Sequence, residues 1–87
     1  MKIEYHHQFL KHFRKRILPY SQLKKKFEER LRLRLEYPQS IILKDHRLLG
    51  RKSEYRAFSI TGDMRVVYKI VGNVFRLYDV GTHSQVY

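Results

Sequence analysis

Cysteine is absent from these 87 residues, so neither a disulfide framework nor a thiolate metal site is available. Acidic residues are scarce, with 8 Asp and Glu against 19 Lys and Arg. No run approaches the ~20 apolar residues of a membrane span. The opening stretch, Met1-Lys2-Ile3-Glu4-Tyr5-His6-His7, lacks the apolar core of a signal peptide. There is no phosphate-loop glycine run, no dinucleotide fingerprint and no His-Glu-x-x-His. Repeats and low-complexity tracts are missing too, the longest like-charge run being Lys24-Lys25-Lys26. What remains is the expectation of one soluble, unprocessed, cytoplasmic domain over residues 1–87.

What is present is positive charge, +11 in all, with a pI near 10.2. The excess is spread along the chain, so it belongs to the folded body and not to a detachable basic tail. That balance favours a polyanionic partner, because binding one releases condensed counterions. Apolar residues at 43% suffice for one small core, to which 12 aromatics contribute much of the area.

Ile3 and Tyr5 alternate with Lys2 and Glu4, which predicts a short first strand. From about His7, Phe9, Leu10, Phe13 and Ile17 recur at helical intervals until Pro19. Leu23, Phe27, Leu31 and Leu35 then repeat every four residues, and Pro38 closes this second helix. Residues 38–54 read as a loop. Beyond it the period becomes two: 56–61, 64–71 and 74–80 are strand-like runs separated by Gly62-Asp63 and Gly72-Asn73, pairs with hairpin-turn chemistry. In the middle run, Met64, Val66, Tyr68 and Ile70 share one face, and Arg65, Val67 and Lys69 the other. The fold class is therefore α+β: an N-terminal strand and a two-helix antiparallel hairpin packed on one face of a small antiparallel sheet, with cations on the opposite face.

Several residues carry chemistry. His46 lies in a charged loop, where a solvated histidine would be unremarkable. His83 follows the last strand, where its ring could simply bond a carbonyl. Both can exchange a proton near neutrality. Asp63 suits a turn cap as well as a reactive carboxylate. Arg65 interrupts an apolar strand, and its guanidinium could grip a phosphate with two N–H groups. Tyr87, the last residue, is either a hydrophobic plug or a stacking platform and proton donor. The five histidines do not suggest a metal site, since His6 and His7 are adjacent and His46 and His83 lie far apart in sequence. Together these groups meet the demands of metal-free RNA cleavage: a base for the ribose 2′-OH, a cation for the phosphoryl oxygens and an acid for the leaving 5′-oxygen. No cofactor and no metal is expected.

Over residues 43–87 the sequence resembles the RelE/ParE superfamily of type II toxin–antitoxin toxins, in its YafQ-like branch. The likeness rests on Leu43-Lys44-Asp45-His46, Gly50, Tyr55-Arg56, Asp63, Val66-Val67-Tyr68-Lys69 and Gly81-Thr82-His83-Ser84-Gln85-Val86-Tyr87, in the family's order. The helical part matches only in length and pattern. The resemblance implies an mRNA endonuclease acting on messages at the ribosome and restrained by a cognate antitoxin, with the toxin–antitoxin complex on operator DNA. It maps the catalytic set onto His46, Asp63, His83 and Tyr87, and Arg65 onto the strand arginine of the RelE branch. Contacts to RNA and ribosomal RNA are expected from Lys44, Arg47, Arg51, Lys52, Arg56 and Lys69. Ser59 stands where YafQ-like toxins often carry another histidine, which leaves the identity of the general base open, and Met64 stands where tryptophan occurs, a change that bears on base stacking. The rival expectations are a ParE-like toxin that binds DNA gyrase without catalysis, and a plain basic nucleic-acid-binding module.

Overall fold

The computed structural model describes residues 1–87 throughout. Strand β1 (Lys2–Tyr5) leads into helix α1 (His7–Arg16) and helix α2 (Ser21–Glu36). After two short 3-10 turns and strand β2 (His46–Arg47) come β3 (Arg56–Ser59), β4 (Met64–Val71), β5 (Val74–Thr82) and a closing helical turn, α3 (His83–Val86). No helix is long and apolar enough to cross a membrane.

The five strands form one sheet in the order β1-β5-β4-β3-β2. The expected meander of β3, β4 and β5 is present and antiparallel, and Gly72 supplies the positive φ, 58°, of its second turn. The sheet as a whole is mixed, however, because β1 runs parallel to β5, Ile3 beside Phe75 and Tyr5 beside Leu77. The two helices carry the chain back across the sheet before β5, the long crossover a parallel pair needs. Glu4 and Arg76, opposite each other in this register, close an ion pair of 2.7 Å. The stretch read as loop also holds more order than expected, since His46 and Arg47 pair with Ala57 and Arg56 as an edge strand.

Both helices lie on one face. Phe9 from α1, Ile17 at its C-terminal cap and Phe27 from α2 bury against Phe58, Val66, Tyr68, Phe75, Leu77 and Val80. Leu10 and Leu35 fall outside this core, 40% and 39% exposed. A repeat of four drifts by about 40° per step against the 3.6-residue turn, so Leu35 has rotated off the stripe that Phe27 centres. Ile70, expected beneath the helices, is 40% exposed at the turn end of β4.

The opposite face corrects the expectation of a purely cationic surface. Leu48, Ala57, Val67 and Val86 form a second buried cluster there, flanked by the stacked rings of Tyr55 and Tyr78. A bulge at Tyr78, where Val67 pairs with Asp79 and Tyr68 with Leu77, breaks the two-residue period of β5. Leu77 and Val80, three positions apart, can thus both reach the helix side while Tyr78 serves the other. α3 closes this second face by inserting Val86.

Candidate active site

Residues of β2, β4 and α3 meet around Tyr87. α3 is a single turn, made rigid by a capping box in which the Thr82 N–H donates to the Gln85 side chain at 2.8 Å. Its last carbonyl, on Val86, accepts from Lys52 Nζ at 2.6 Å. A Cβ on Gly81 before it would lie 2.6 Å from Arg16 Nη1 and 2.7 Å from Gln85 Oε1, so both side-chain ends would have to shift to admit one. Val86 faces inward, so His83 and Tyr87 are presented outward from the same turn, with their rings 4.4 Å apart edge to face.

His46 comes to this turn from β2. Its Nδ1 lies 2.9 Å from the Lys44 carbonyl, which can only accept, so Nδ1 carries the proton. In the neutral ring Nε2 is then the free acceptor, and the Tyr87 hydroxyl donates to it at 3.2 Å. Burial raises the Tyr87 hydroxyl above its ordinary pKa, while the Arg65 charge pulls the other way.

Arg65 reaches the same ring from β4, its guanidinium carbon 5.8 Å from the Tyr87 centroid. One terminal nitrogen donates to Ser59 Oγ at 3.2 Å and the other to the Gly62 carbonyl at 3.5 Å. Nε is buried with no partner at all. A buried unpaired donor on a cation is costly, and the other two nitrogens of this side chain carry its hydrogen bonds.

Beside these groups opens a cleft of about 640 Å³ lined by His46, Arg47, Leu48, Leu49, Arg51, Lys52, His83 and Tyr87. Of the expected residues, His46, His83, Arg65 and Tyr87 are brought together, and Arg47, Arg51 and Lys52 line the cleft. Asp63 is not among them: it sits exposed in the β3–β4 turn, its backbone N–H donating to Thr61, and its carboxylate forms no ion pair. Arg56 and Lys69 are already engaged, with Asp45 at 2.8 Å and Glu54 at 3.3 Å. Lys44 borders a separate shallow recess with Asp45 and Arg56. No three His, Cys, Asp or Glu side chains stand in a metal-holding arrangement.

Two groups escaped the sequence reading. Asp45 is a hub, bonded to Arg34, Arg56 and the Tyr68 hydroxyl, none of them close in sequence. Leu49 is 92% exposed at the cleft's lip, where only its position in space marks it out.

A family profile described as "Bacterial toxin of type II toxin-antitoxin system, YafQ" matches residues 1–87. Among solved structures, YafQ from Escherichia coli superposes with a TM-score of 0.81 at 24% identity, covering 99% of this chain and 97% of that one. The Escherichia coli DinJ–YafQ toxin–antitoxin complex gives 0.79 at 26% identity, covering 99% and 96%. A single-site mutant toxin from Helicobacter pylori, crystallised with copper, gives 0.80 at 27%, covering 100% and 99%. Comparison with curated proteins returns no significant match. With the profile spanning every residue on which the fold and the cleft depend, the chain belongs to the YafQ family of bacterial type II toxin–antitoxin toxins.

Proposed function

We propose that this chain is an mRNA endoribonuclease that acts at the ribosome in the cytoplasm and inhibits translation. The observation that carries the reading is the convergence of His46, His83 and Tyr87 on one basic cleft, with Arg65 against the Tyr87 ring. Neither of the rival readings, gyrase binding or passive nucleic-acid binding, requires two titratable rings gathered on one tyrosine beside an arginine.

The chemistry runs as an internal displacement. The ribose 2′-oxygen attacks the adjacent phosphorus, the bond to the 5′-oxygen breaks, and the products carry a 2′,3′-cyclic phosphate and a 5′-hydroxyl. Because the nucleophile belongs to the substrate, the protein has only to position, move protons and neutralise charge. His83 takes the 2′-OH proton. His46, in the imidazolium form that carries a proton on Nε2 as well as Nδ1, returns one to the leaving oxygen, with the Tyr87 hydroxyl within hydrogen-bonding reach of that nitrogen at 3.2 Å. Arg65 stabilises the phosphoryl oxygens through its guanidinium charge. Arg47, Arg51 and Lys52 hold the flanking backbone. Asp63, at the turn, acts on the RNA only if the bound strand reaches that edge of the sheet.

The restraining partner is a cognate antitoxin, as DinJ is assembled with YafQ in Escherichia coli. Against a net charge of +11, an acidic segment that folds on binding is the fitting complement. Inducing the protein in a bacterial host and mapping new message 5′ ends tests the reading. Cuts inside translated frames are expected, with growth restored by the antitoxin. Intact messages with a DNA-damage response would overturn it in favour of gyrase poisoning.

A further inference from the structure

The Lys44-Asp45-His46 triplet contains one residue to which the proposed reaction gives no part. Asp45 has only 9% of its side chain exposed, yet its carboxylate accepts from three side chains. Oδ2 accepts from Arg34 Nε of α2 at 2.7 Å and from the Tyr68 hydroxyl of β4. Oδ1 accepts from Arg56 Nε of β3 at 2.8 Å. Arg34 also donates to the Tyr68 hydroxyl at 3.0 Å, so the four side chains close into one network spanning a helix, two strands and the loop. The partners register this closeness: Arg56 is held above its ordinary pKa chiefly by its bond to Asp45, and burial pushes Tyr68 up to about 12.

On one side of Asp45 stands Lys44, the one non-glycine residue with positive φ, 49°. Side chains rarely hold that left-handed conformation unaided, so the surrounding structure must impose it. The Lys44 carbonyl is also the acceptor for His46 Nδ1. The clamp, the left-handed turn and the ring contact therefore lie within three consecutive residues.

We infer that Asp45 is a positioning residue for His46, its grip on Arg34, Arg56 and Tyr68 fixing the turn that aims the Lys44 carbonyl at Nδ1. The proton is thereby kept on Nδ1, and Nε2 is left as the basic nitrogen facing Tyr87 and the cleft. In water a free imidazole favours the opposite tautomer, so the arrangement has to be enforced. The inference also gives Arg56 a different part from the RNA contact expected of it, since its Nε belongs to the clamp. The effect on rate rests on the ribonuclease reading; the effect on the ring does not.

The test is Asp45→Asn, in which the amide keeps the shape but loses the charge and presents N–H groups to guanidiniums. Ring nitrogen chemical shifts of His46 in 15N-labelled protein, at a pH where the ring is neutral, read the tautomer directly. Wild type is expected to show the proton on Nδ1. The variant should move towards Nε2–H, with single-turnover cleavage slowed by about tenfold to a hundredfold and RNA affinity not weakened. A folded Asp45→Asn that keeps the wild-type tautomer overturns the inference. So does a loss of affinity with an unchanged rate at saturation, which would make the Asp45–Arg56 pair part of the binding surface. Should Asp45→Asn fail to fold, Arg56→Gln deletes only the most exposed arm of the clamp. It should shift the tautomer in the same direction, and an unshifted ring again overturns the inference. A shifted tautomer with an unchanged cleavage rate would uphold the clamp and remove His46 from the proposed proton transfer.

Discussion

On the helix side of the sheet, eleven buried residues close on one another; on the other side only four do, ringed by histidines, arginines and a cleft. The first face is self-sufficient. Phe9, Phe13 and Phe27 pack ring against ring, and Tyr68 stacks on Phe75 at 4.6 Å while its hydroxyl finds Asp45. The second face is left incomplete. Its apolar cluster is large enough to hold α3 down through Val86, yet Arg65 Nε lacks a partner and Leu49 stands in solvent. Burial drives the first face, and the second uses a little burial to hold reactive groups in place. A substitution should therefore cost stability on one side and activity on the other.

The largest separation is expected at His83. Glutamine there keeps a hydrogen-bonding group but cannot exchange a proton near neutrality. His83→Gln should slow single-turnover cleavage by roughly 10²–10⁴-fold, with unfolding unchanged. If ribosome binding falls in proportion to activity, His83 is a docking residue instead. Phe58 is the counterpart beneath the helices. Phe58→Ala empties a fully buried site and should lower stability by about 3–5 kcal/mol in denaturant titrations. A stability close to wild type would mean that the helix face is not the structural half.

Arg65→Ala comes next, with a rate loss of about 10²–10³-fold by analogy with removing an oxyanion donor. Stability should hardly move, because the substitution also removes a buried donor that has no partner. Lysine should rescue only part of the rate, having the charge without the fork. Equal rates for wild type and Arg65→Ala would remove the phosphate role.

Much of the self-sufficient face was legible in the sequence, because its signals are local. The turns at Gly62-Asp63 and Gly72-Asn73, the β4 alternation and the Phe9, Phe13, Phe27 spacing each lie within a few residues. The parallel seat of β1 was not legible, since its partner strand begins 72 positions later, as in the pairing of Lys2 with Val74. The bulge at Tyr78 and the edge strand at His46–Arg47 likewise depend on neighbours in space. On the second face the residue types could be read, but not which of them meet. His46 and Tyr87 touch across 41 positions, whereas Asp63, two residues from Arg65, stays out in its turn. The clamp at Asp45 was hidden for the same reason, its partners lying 11 and 23 positions away.

The smallest predicted effect concerns the buried hydroxyl of the helix-side face. Tyr68 is held protonated in the fold up to about pH 12, against 10 for the free group. An acid whose folded pKa is raised stabilises fully below the unfolded value and loses that contribution as pH climbs through the folded one. Wild-type stability should therefore decline between pH 10 and 12, and Tyr68→Phe should show a shallower decline over that window. Parallel curves would mean that Tyr68 ionises as freely in the fold as outside it.

The central claim, that the incomplete face cuts RNA with the substrate's own 2′-hydroxyl, is tested most directly by the ends it leaves. Message cleaved by the purified protein on a programmed ribosome should carry 5′-hydroxyl termini downstream and 2′,3′-cyclic phosphates upstream. Fragments bearing 5′-phosphates and free 3′-hydroxyls would mean that water is the nucleophile, and would contradict the account.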